Sequence, residues 1–215
     1  MMAAVKILAL GPNPALQRVL SFDSPIEIGS VNRAASVESY VGGKGQGMAL
    51  ALQRWAPGSS AVAHFLGGDN GRFVEQQLTD AGLEQVVQHV DAPTRICTTL
   101  LTGTVTDAPT ELIDPSGAVT QAELDGLLTK IREYLVSSKV GGMALCGTTP
   151  PGAGALYASM CRALLEGAAA DPGLDSVLLL LDGHKNVDDV LGSGRVDGET
   201  SLCLCTRSCA FARCH

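Results

Sequence analysis

The sequence lacks the long apolar run that a transmembrane helix requires. Its longest unbroken aliphatic stretch covers residues 177–181, whereas a helix needs about 20 apolar residues to cross a bilayer. Basic residues are outnumbered as well, because 15 Lys and Arg stand against 22 Asp and Glu and leave a net charge of −7. Such a chain has no long-range field that attracts nucleic acid or an anionic membrane. We therefore expect neither partner, and any anionic ligand needs a local site.

The first residues also lack the pattern of a secretory leader. Gly11-Pro12-Asn13-Pro14 interrupts the apolar start of the chain before a signal-peptide core develops, so we expect a cytoplasmic protein. The 46% content of hydrophobic residues excludes a disordered chain. A length of 215 residues allows a substantial core without the help of disulfides.

The seven cysteines fall into two groups. Cys97, Cys146 and Cys161 are scattered in apolar surroundings, and we expect them to be reduced, buried thiols. The others crowd the end of the chain and are Cys203, Cys205, Cys209 and Cys214, followed by His215. They are numerous enough to bind zinc, but their spacing matches no familiar zinc motif. The preferred interpretation is an aberrant end that arises from a reading-frame change, alternative splicing or a gene-model error, since the composition changes abruptly after Leu191.

Strand-like apolar stretches alternate with helix-like stretches, which predicts an α/β fold with a largely parallel sheet. Predicted strands cover residues 5–10, 61–66, 94–101, 143–146 and 177–181. Predicted helices cover residues 48–55, 72–80, 120–136 and 155–165. The third helix opens on the capping-box pattern Thr120-Gln121-Ala122-Glu123 and has Leu124, Leu127, Leu128 and Ile131 on one face. Residues 16–40 are predicted to form short strands of a flap that stands off the main sheet.

The Gly-rich segment Gly42-Gly43-Lys44-Gly45-Gln46-Gly47 leads into the first predicted helix. Free backbone N–H groups and the positive end of a helix dipole suit a phosphate or sugar hydroxyls, and Lys44 adds a charge. The segment is not a P-loop, because Glu38 and Gly45 stand where that motif needs its first glycine and its Ser or Thr. It also fails the dinucleotide fingerprint, since Met48 occupies the third glycine position. A tight turn that serves helix packing is the alternative.

Six short motifs follow one another along the chain. They are N-P-A-L at residues 13–16, V-N-R-A at 31–34, G-G-K-G at 42–45, T-R at 94–95, T-E-L at 110–112 and G-T-T-P-P-G at 147–152. In this order and approximate spacing they resemble the PfkB/ribokinase-like carbohydrate kinases, most of all the 1-phosphofructokinase and tagatose-6-phosphate kinase branch. Each motif is weak by itself, but six in order are specific.

The resemblance implies a ribokinase-like three-layer α/β sandwich with a small β lid, incomplete at its C-terminal end. The family domain would cover residues 1–191, with lid segments within residues 15–40 and 90–112. Residues 192–215 would be a non-family Cys-rich tail, which we expect to be disordered. The implied activity is ATP-dependent phosphoryl transfer to a hydroxyl of a sugar or sugar phosphate, with Mg²⁺. Lids of this family often mediate dimers, so a homodimer through the lid is also expected.

The resemblance further implies which residues face the ligands. On the sugar side they are Asn13, Gln17, Arg33, Gly42, Gly43, Lys44, Gly47, Arg95 and Glu111; on the ATP and Mg²⁺ side they are Lys185, Asn186 and Asp189. Arg95 would pair with a substrate phosphate through its bidentate fork, with a solvated Arg at a strand end as the alternative. Asp189, in an element that resembles the family's N-x-x-E, would organise Mg²⁺ through water. Alternatively, Asp188 and Asp189 favour the first turn of a helix.

Two positions on the sugar side depart from the family pattern. Gln17 stands where the family usually has an Asp that binds sugar hydroxyls, and an amide offers no charged acceptor. Gly47 stands where the G-G-K-G motif usually continues to Asn. Both changes touch sugar recognition, so the sequence does not restrict the substrate to the fructose phosphates.

The largest departure is an absence. The family's G-A-G-D segment, which supplies an anion hole and the catalytic Asp, has no match in this sequence, nor has the adenine pocket that follows it. Gly152-Ala153-Gly154 is followed by Ala155, and Asp69 lies in an early turn of another type. Phosphoryl transfer depends on positioning and charge stabilisation, so we predict no catalytic residue and an inactive, C-terminally truncated kinase. The alternative is a non-catalytic chain that binds a sugar phosphate or pairs with an intact kinase.

Overall fold

The computed structural model describes residues 6–102, 108–168, 177–182 and 190. In chain order its elements are β1 (Lys6–Leu10), β2 (Ala15–Phe22), β3 (Ser36–Gly42), α1 (Lys44–Trp55), β4 (Ser60–Leu66), α2 (Gly68–Asp80), β5 (Glu84–His89), β6 (Arg95–Thr102), β7 (Thr110–Ile113), α3 (Gln121–Ser137), β8 (Val140–Cys146), α4 (Leu156–Ala168) and β9 (Leu178–Asp182). The expected nucleotide-side residues Lys185, Asn186 and Asp189 lie outside the described residues, as does the Cys-rich tail of residues 192–215.

The main sheet contains five parallel strands in the order β5-β4-β1-β8-β9. Helices cover both of its faces, since α3 and α4 pack on one face and α1 and α2 on the other. Side chains of β1 alternate between the two layers, because Leu8 and Leu10 join the first cluster and Ala9 joins the second. The predicted three-layer α/β sandwich is therefore confirmed. In the described part of the chain, no helix combines the length and apolar character needed to span a bilayer.

Helix α3 shows how a local sequence signal positions an element. The Thr120 hydroxyl accepts a hydrogen bond from the Glu123 amide, while the Glu123 carboxylate accepts one from the Thr120 amide. These bonds close the predicted capping box. The same carboxylate accepts a hydrogen bond from the Asp91 amide in the loop after β5. The hydrogen bond from the Thr120 amide is the main cause that lowers the pKa of the Glu123 carboxyl, and the bond from the Asp91 amide lowers this pKa further. The face predicted from helical spacing is buried in the core.

A second sheet, which we call the lid sheet, has the strand order β3-β2-β6-β7. Strand β2 runs antiparallel to β3 and parallel to β6. The predicted flap of residues 16–40 therefore contains two long paired strands. In the loop that joins them, Ile28 and Val31 are exposed.

The elements differ from the sequence prediction at several points. Helices α1 and α2 begin at Lys44 and Gly68 rather than at residues 48 and 72, because glycines that read as loop residues form their first turns. The sequence predicts no strand at β5 or β7. In β5 only Val86 is fully buried, and all four residues of β7 are exposed, so neither strand carries a strong apolar signal.

Two of the three cysteines within the described residues are buried, as expected. They are Cys146 and Cys161. Burial raises the pKa of the Cys146 thiol to about 12. The expectation of full burial is wrong for Cys97, which is only partly buried because it lies on the thin lid sheet.

Candidate functional site

The carboxyl ends of three neighbouring strands of the main sheet carry the loops of the candidate site. Residues 11–14 follow β1, residues 147–154 follow β8, and Asp182 ends β9. Ligands of open parallel sheets bind at this edge, where loops from adjacent strands meet. Polar groups on these loops are therefore candidates for ligand binding.

A cleft of about 580 Å³ lies beside the loops that follow β1 and β8. Its polar lining comes from Asn13, Arg95, Ser116, Thr148 and Thr149, and prolines and glycines complete it. The volume is that of an ordinary small-molecule site. The lining residues include one positive charge and no carboxylate, so the cleft suits a polar ligand that carries negative charge.

The side chain of Asn13 joins three loops at this cleft. Its Nδ2 donates to Ser116 Oγ at 2.9 Å and to Thr148 Oγ1 at 3.1 Å. Neither hydroxyl is among the predicted site residues. For Thr148 the available signal is its place in the motif G-T-T-P-P-G, whereas nothing in the sequence around Ser116 points to the cleft.

Arg95, the first residue of β6, lines the same cleft. Its Nη2 donates to the carbonyl oxygen of Asn13 at 3.1 Å, and its Nε lies 3.4 Å from the carbonyl oxygen of Pro14. These bonds use two of the five guanidinium N–H groups. The side chain is partly buried, and it forms no ion pair with any described residue. It therefore differs from the solvated Arg of the alternative interpretation.

The Gly-rich turn joins β3 to α1 by a close approach of two backbones. Gly42 ends β3 opposite Ala15 of β2, and Gly43 has a φ of 119°, which a residue with a side chain rarely adopts. A Cβ on Gly45 would lie 2.5 Å from the Cα of Gly11. The packing role of the turn is therefore real, and the same geometry places Lys44 at the start of α1.

Lys44 Nζ lies 3.2 Å from Oδ1 of Asp182 at the end of β9. A backbone hydrogen bond also joins the loop after β8 to the end of β9, because the Gly147 amide donates to the carbonyl oxygen of Asp182 at 2.6 Å. Asp182 is not among the predicted site residues. The missed signal was its position directly after a buried apolar strand, where a side chain reaches the carboxyl edge of a parallel sheet.

The lid sheet carries two further predicted residues. Gln17 Nε2 donates to Thr99 Oγ1 at 2.8 Å, and the exposed Glu111 lies opposite Thr99 in the register of β6 and β7. Residues opposite each other in register point to the same face of a sheet. Arg95, which lines the cleft, shares this face with Gln17 through the β2–β6 register.

Two predicted residues lie away from the contacts described above. Arg33 is exposed in the loop between β2 and β3 and is not among the residues that line the cleft. Gly47 lies on the exposed side of α1, where a Cβ would meet nothing within 4 Å. Among the described residues, no group of three or more His, Cys, Asp or Glu side chains is arranged to hold a metal ion.

Known proteins resemble this chain in both sequence and fold. The 1-phosphofructokinase of Haloferax volcanii is 31% identical over 149 residues, which cover 68% of this chain and 45% of that protein. That of Rhodobacter capsulatus is 30% identical over 141 residues, or 65% of this chain and 44% of that protein. The chain thus spans less than half the length of these relatives.

Solved structures agree with the fold. A putative phosphofructokinase from Staphylococcus aureus aligns with a TM-score of 0.69 at 24% identity, covering 87% of this chain and 56% of that one. Phosphofructokinase-2 from Escherichia coli in complex with fructose-6-phosphate aligns with a TM-score of 0.72 at 18% identity, covering 88% and 58%. A family model described as pfkB family carbohydrate kinase matches residues 17–176. The chain therefore belongs to the pfkB family of carbohydrate kinases.

Proposed function

We propose that this chain binds a phosphorylated sugar in the cleft at the carboxyl edge of the main sheet, as the acceptor side of an ATP-dependent carbohydrate kinase. The observation that carries the proposal is Arg95, a partly buried guanidinium that lines the cleft beside Asn13, Ser116 and Thr148. Arg presents paired N–H donors that match phosphate oxygens. The neighbouring amide and hydroxyl groups suit sugar hydroxyls.

The two elements beside the cleft supply further contacts in this proposal. Lys44 provides a mobile charge at the N-terminus of α1, where the Gly42–Gly43 backbone also approaches the ligand. Gln17 and Glu111 face the ligand from the lid sheet, and Gln17 replaces a carboxylate acceptor with an amide. Arg33 lies in the exposed loop between β2 and β3 rather than on the sheet face that Gln17 and Glu111 share with Arg95, so the proposed site does not include it.

ATP and Mg²⁺ are the co-substrate and cofactor that family membership suggests. Lys185, Asn186 and Asp189, which would hold them, lie outside the described residues. The described residues contain no metal-binding cluster, and none of the contacts proposed for them involves the metal. The proposed part of the described residues in the reaction is to bind and orient the acceptor sugar, since phosphoryl transfer depends mainly on positioning and charge stabilisation.

We further propose that the 215 residues by themselves bind the sugar phosphate without transferring a phosphoryl group, because no G-A-G-D segment occurs in the sequence. The test measures ADP release with Mg-ATP and a panel of hexoses and hexose phosphates that includes fructose 1-phosphate, fructose 6-phosphate and tagatose 6-phosphate. In parallel, ligand-dependent rises in thermal stability report binding. We expect stabilisation by at least one sugar phosphate and no ADP release. Turnover that is abolished by Lys44→Ala would contradict the proposal that the chain is inactive. A panel without any stabilising ligand would contradict the proposal that it binds a sugar phosphate.

A second proposal is a homodimer through the lid sheet. Leu20, Val37 and Leu100 are paired in register and therefore share one face of this sheet, and Val37 is 51% exposed. An exposed apolar face of this kind favours association. Light scattering should give twice the monomer mass for the wild type and the monomer mass for Val37→Lys. A monomeric wild type that forms a complex with an intact family kinase would instead support the heterodimer.

A further inference from the structure

A buried polar pair lies directly behind the Gly-rich turn. Gln46 of α1 and His64 of β4 are both fully buried, next to an apolar cluster that includes Ala49 and Val62. Gln46 Nε2 donates to the carbonyl oxygen of Gly11 at 2.7 Å and lies 3.1 Å from His64 Nδ1. Polar groups are costly to bury unless they form hydrogen bonds. The bond to Gly11 ties the pair to the loop that follows β1, whereas Gln46 Oε1 and His64 Nε2 find no hydrogen-bond partner within the described residues.

The contacts of Gln46 determine the orientation of both side chains. Because a carbonyl oxygen only accepts hydrogen bonds, the Gln46 atom at Gly11 is the amide nitrogen. The same nitrogen meets Nδ1 of His64, which is therefore an unprotonated acceptor, and the ring proton lies on Nε2. Burial lowers the pKa of His64 to about 3, although the nearby Gln85 side chain acts in the opposite direction. The ring thus stays neutral and keeps its acceptor towards Gln46.

The loop of residues 11–14 is held from two sides. Gln46 binds the carbonyl of Gly11 from the helix layer, whereas Arg95 binds the carbonyls of Asn13 and Pro14 from the lid sheet. A Cβ on Gly11 would lie 2.9 Å from both Oε1 of Gln46 and the backbone of Gly45. The loop therefore has little room to shift, and Asn13 projects from it to Ser116 and Thr148.

We infer that Gln46 and His64 are positioning residues for the cleft: His64 orients the Gln46 amide, and Gln46 holds Gly11 so that Asn13 reaches its place among the three loops. Both residues act from behind the site, and none of their hydrogen bonds described above goes to a side chain that lines the cleft. The part of the inference that concerns ligand affinity rests on the proposed function, whereas the part that concerns the loop does not.

The test compares amide hydrogen exchange at the two ends of β1 in the ligand-free full chain. The Gly11 amide donates to Ala63 beside the pair, and the Ile7 amide donates to Ser59 at the other end of the strand. Gln46→Leu and His64→Leu should raise the ratio of the Gly11 to the Ile7 exchange rate at least tenfold. His64→Asn retains an acceptor near the position of Nδ1 and should restore a ratio close to that of the wild type.

Ser60→Ala is the matched control, because Ser60 is buried on the same strand and donates to the Ala49 carbonyl of the same helix, away from the loop. It should lower the melting temperature without changing the exchange ratio. If Gln46→Leu does not fold, Gln46→Asn, which is one methylene shorter, takes its place. An unchanged ratio in the Gln46 and His64→Leu variants would overturn the inference, as would an equal change in Ser60→Ala.

Affinity for fructose 1-phosphate, measured by calorimetry, gives the second comparison. Gln46→Leu and His64→Leu should bind it at least fivefold more weakly than the wild type, while Ser60→Ala should match the wild type. A wild type that binds no sugar phosphate would contradict the proposed function, and the exchange ratio would still decide whether the pair positions the loop.

Discussion

The ammonium group of Lys44 lies 3.2 Å from a carboxylate oxygen of Asp182, which joins the start of α1 to the end of β9 across the carboxyl edge of the main sheet. The two side chains are 51% and 35% exposed, and ion pairs with this exposure contribute little to stability. The pair therefore keeps a mobile cation beside the candidate site without making the fold depend on it.

Replacement of Lys44 by Ala should weaken sugar-phosphate binding and leave stability nearly unchanged. A charge-assisted hydrogen bond to a ligand phosphate contributes roughly 1.5–3 kcal/mol, so we expect affinity for fructose 1-phosphate to fall about tenfold or more. Because the ion pair with Asp182 is partly exposed, the free energy of unfolding should change by less than about 1 kcal/mol. Calorimetry and urea unfolding measure the two quantities. Lys130→Ala on the exposed side of α3 is the control, and an equal loss of affinity there would contradict the assignment.

Replacement of Arg95 by Lys should discriminate between phosphorylated and unphosphorylated sugars. Lysine keeps the charge but loses the planar fork and the contacts to the carbonyls of Asn13 and Pro14. We expect affinity for fructose 1-phosphate to fall about tenfold, the equivalent of about 1.4 kcal/mol. Affinity for fructose should fall less, because it loses only the support that Arg95 gives to the loop that carries Asn13. Arg54→Lys in the last turn of α1 is the matched control. Equal losses for both sugars would place Arg95 outside phosphate recognition.

Buried His64 should make the fold less stable in acid. Burial lowers its pKa from 6.5 to about 3, so between these values the unfolded chain binds a proton that the folded chain does not. The contribution of His64 is therefore fully present above pH 6.5 and is lost as the pH falls towards 3, by up to about 1.4 kcal/mol per pH unit. Urea unfolding from pH 7 to pH 4.5 should show a shallower pH dependence for His64→Asn than for the wild type. Ser60→Ala removes no titratable group, so it should lower the free energy of unfolding at every pH without changing its dependence on pH. An equal pH dependence of the free energy of unfolding in the wild type and His64→Asn would contradict the prediction.

Two glycines of the same turn should respond oppositely to Ala. A Cβ on Gly45 would lie 2.5 Å from the backbone of Gly11, so Gly45→Ala forces the turn apart and should destabilise the fold by about 2 kcal/mol or more. A Cβ on Gly47 meets nothing within 4 Å, and Ala is favoured over Gly in a helix by about 0.8–1 kcal/mol. Gly47→Ala should therefore raise the free energy of unfolding, as measured by urea unfolding. Destabilisation by both substitutions would show that α1 does not begin at Lys44.

Local signals in the sequence predict most of the elements. The capping box at Thr120 and the leucines that follow it at helical spacing predict α3, because these features depend only on neighbours along the chain. The predicted starts of α1 and α2 are four residues too late. Glycine has no local preference for helix, so the sequence does not reveal a first turn that tertiary packing stabilises. Strand β5 was missed for a related reason: its pairing with β4 supplies the stabilisation that its polar sequence does not indicate.

The candidate site divides in the same way. Order and spacing of short motifs determined the family and singled out Asn13, Lys44 and Arg95, because those residues belong to contiguous patterns. Only the tertiary structure brought Asn13 to Ser116 and Thr148, 103 and 135 positions away, and Lys44 to Asp182, 138 positions away. The strand order β5-β4-β1-β8-β9 makes the contact of Asn13 with Thr148, since it places the loops after β1 and β8 side by side. The pairing of Gln46 with His64 has the same origin, because it requires α1 to pack on β4, and hydrophobic periodicity indicates that a helix is buried but not which strand it covers.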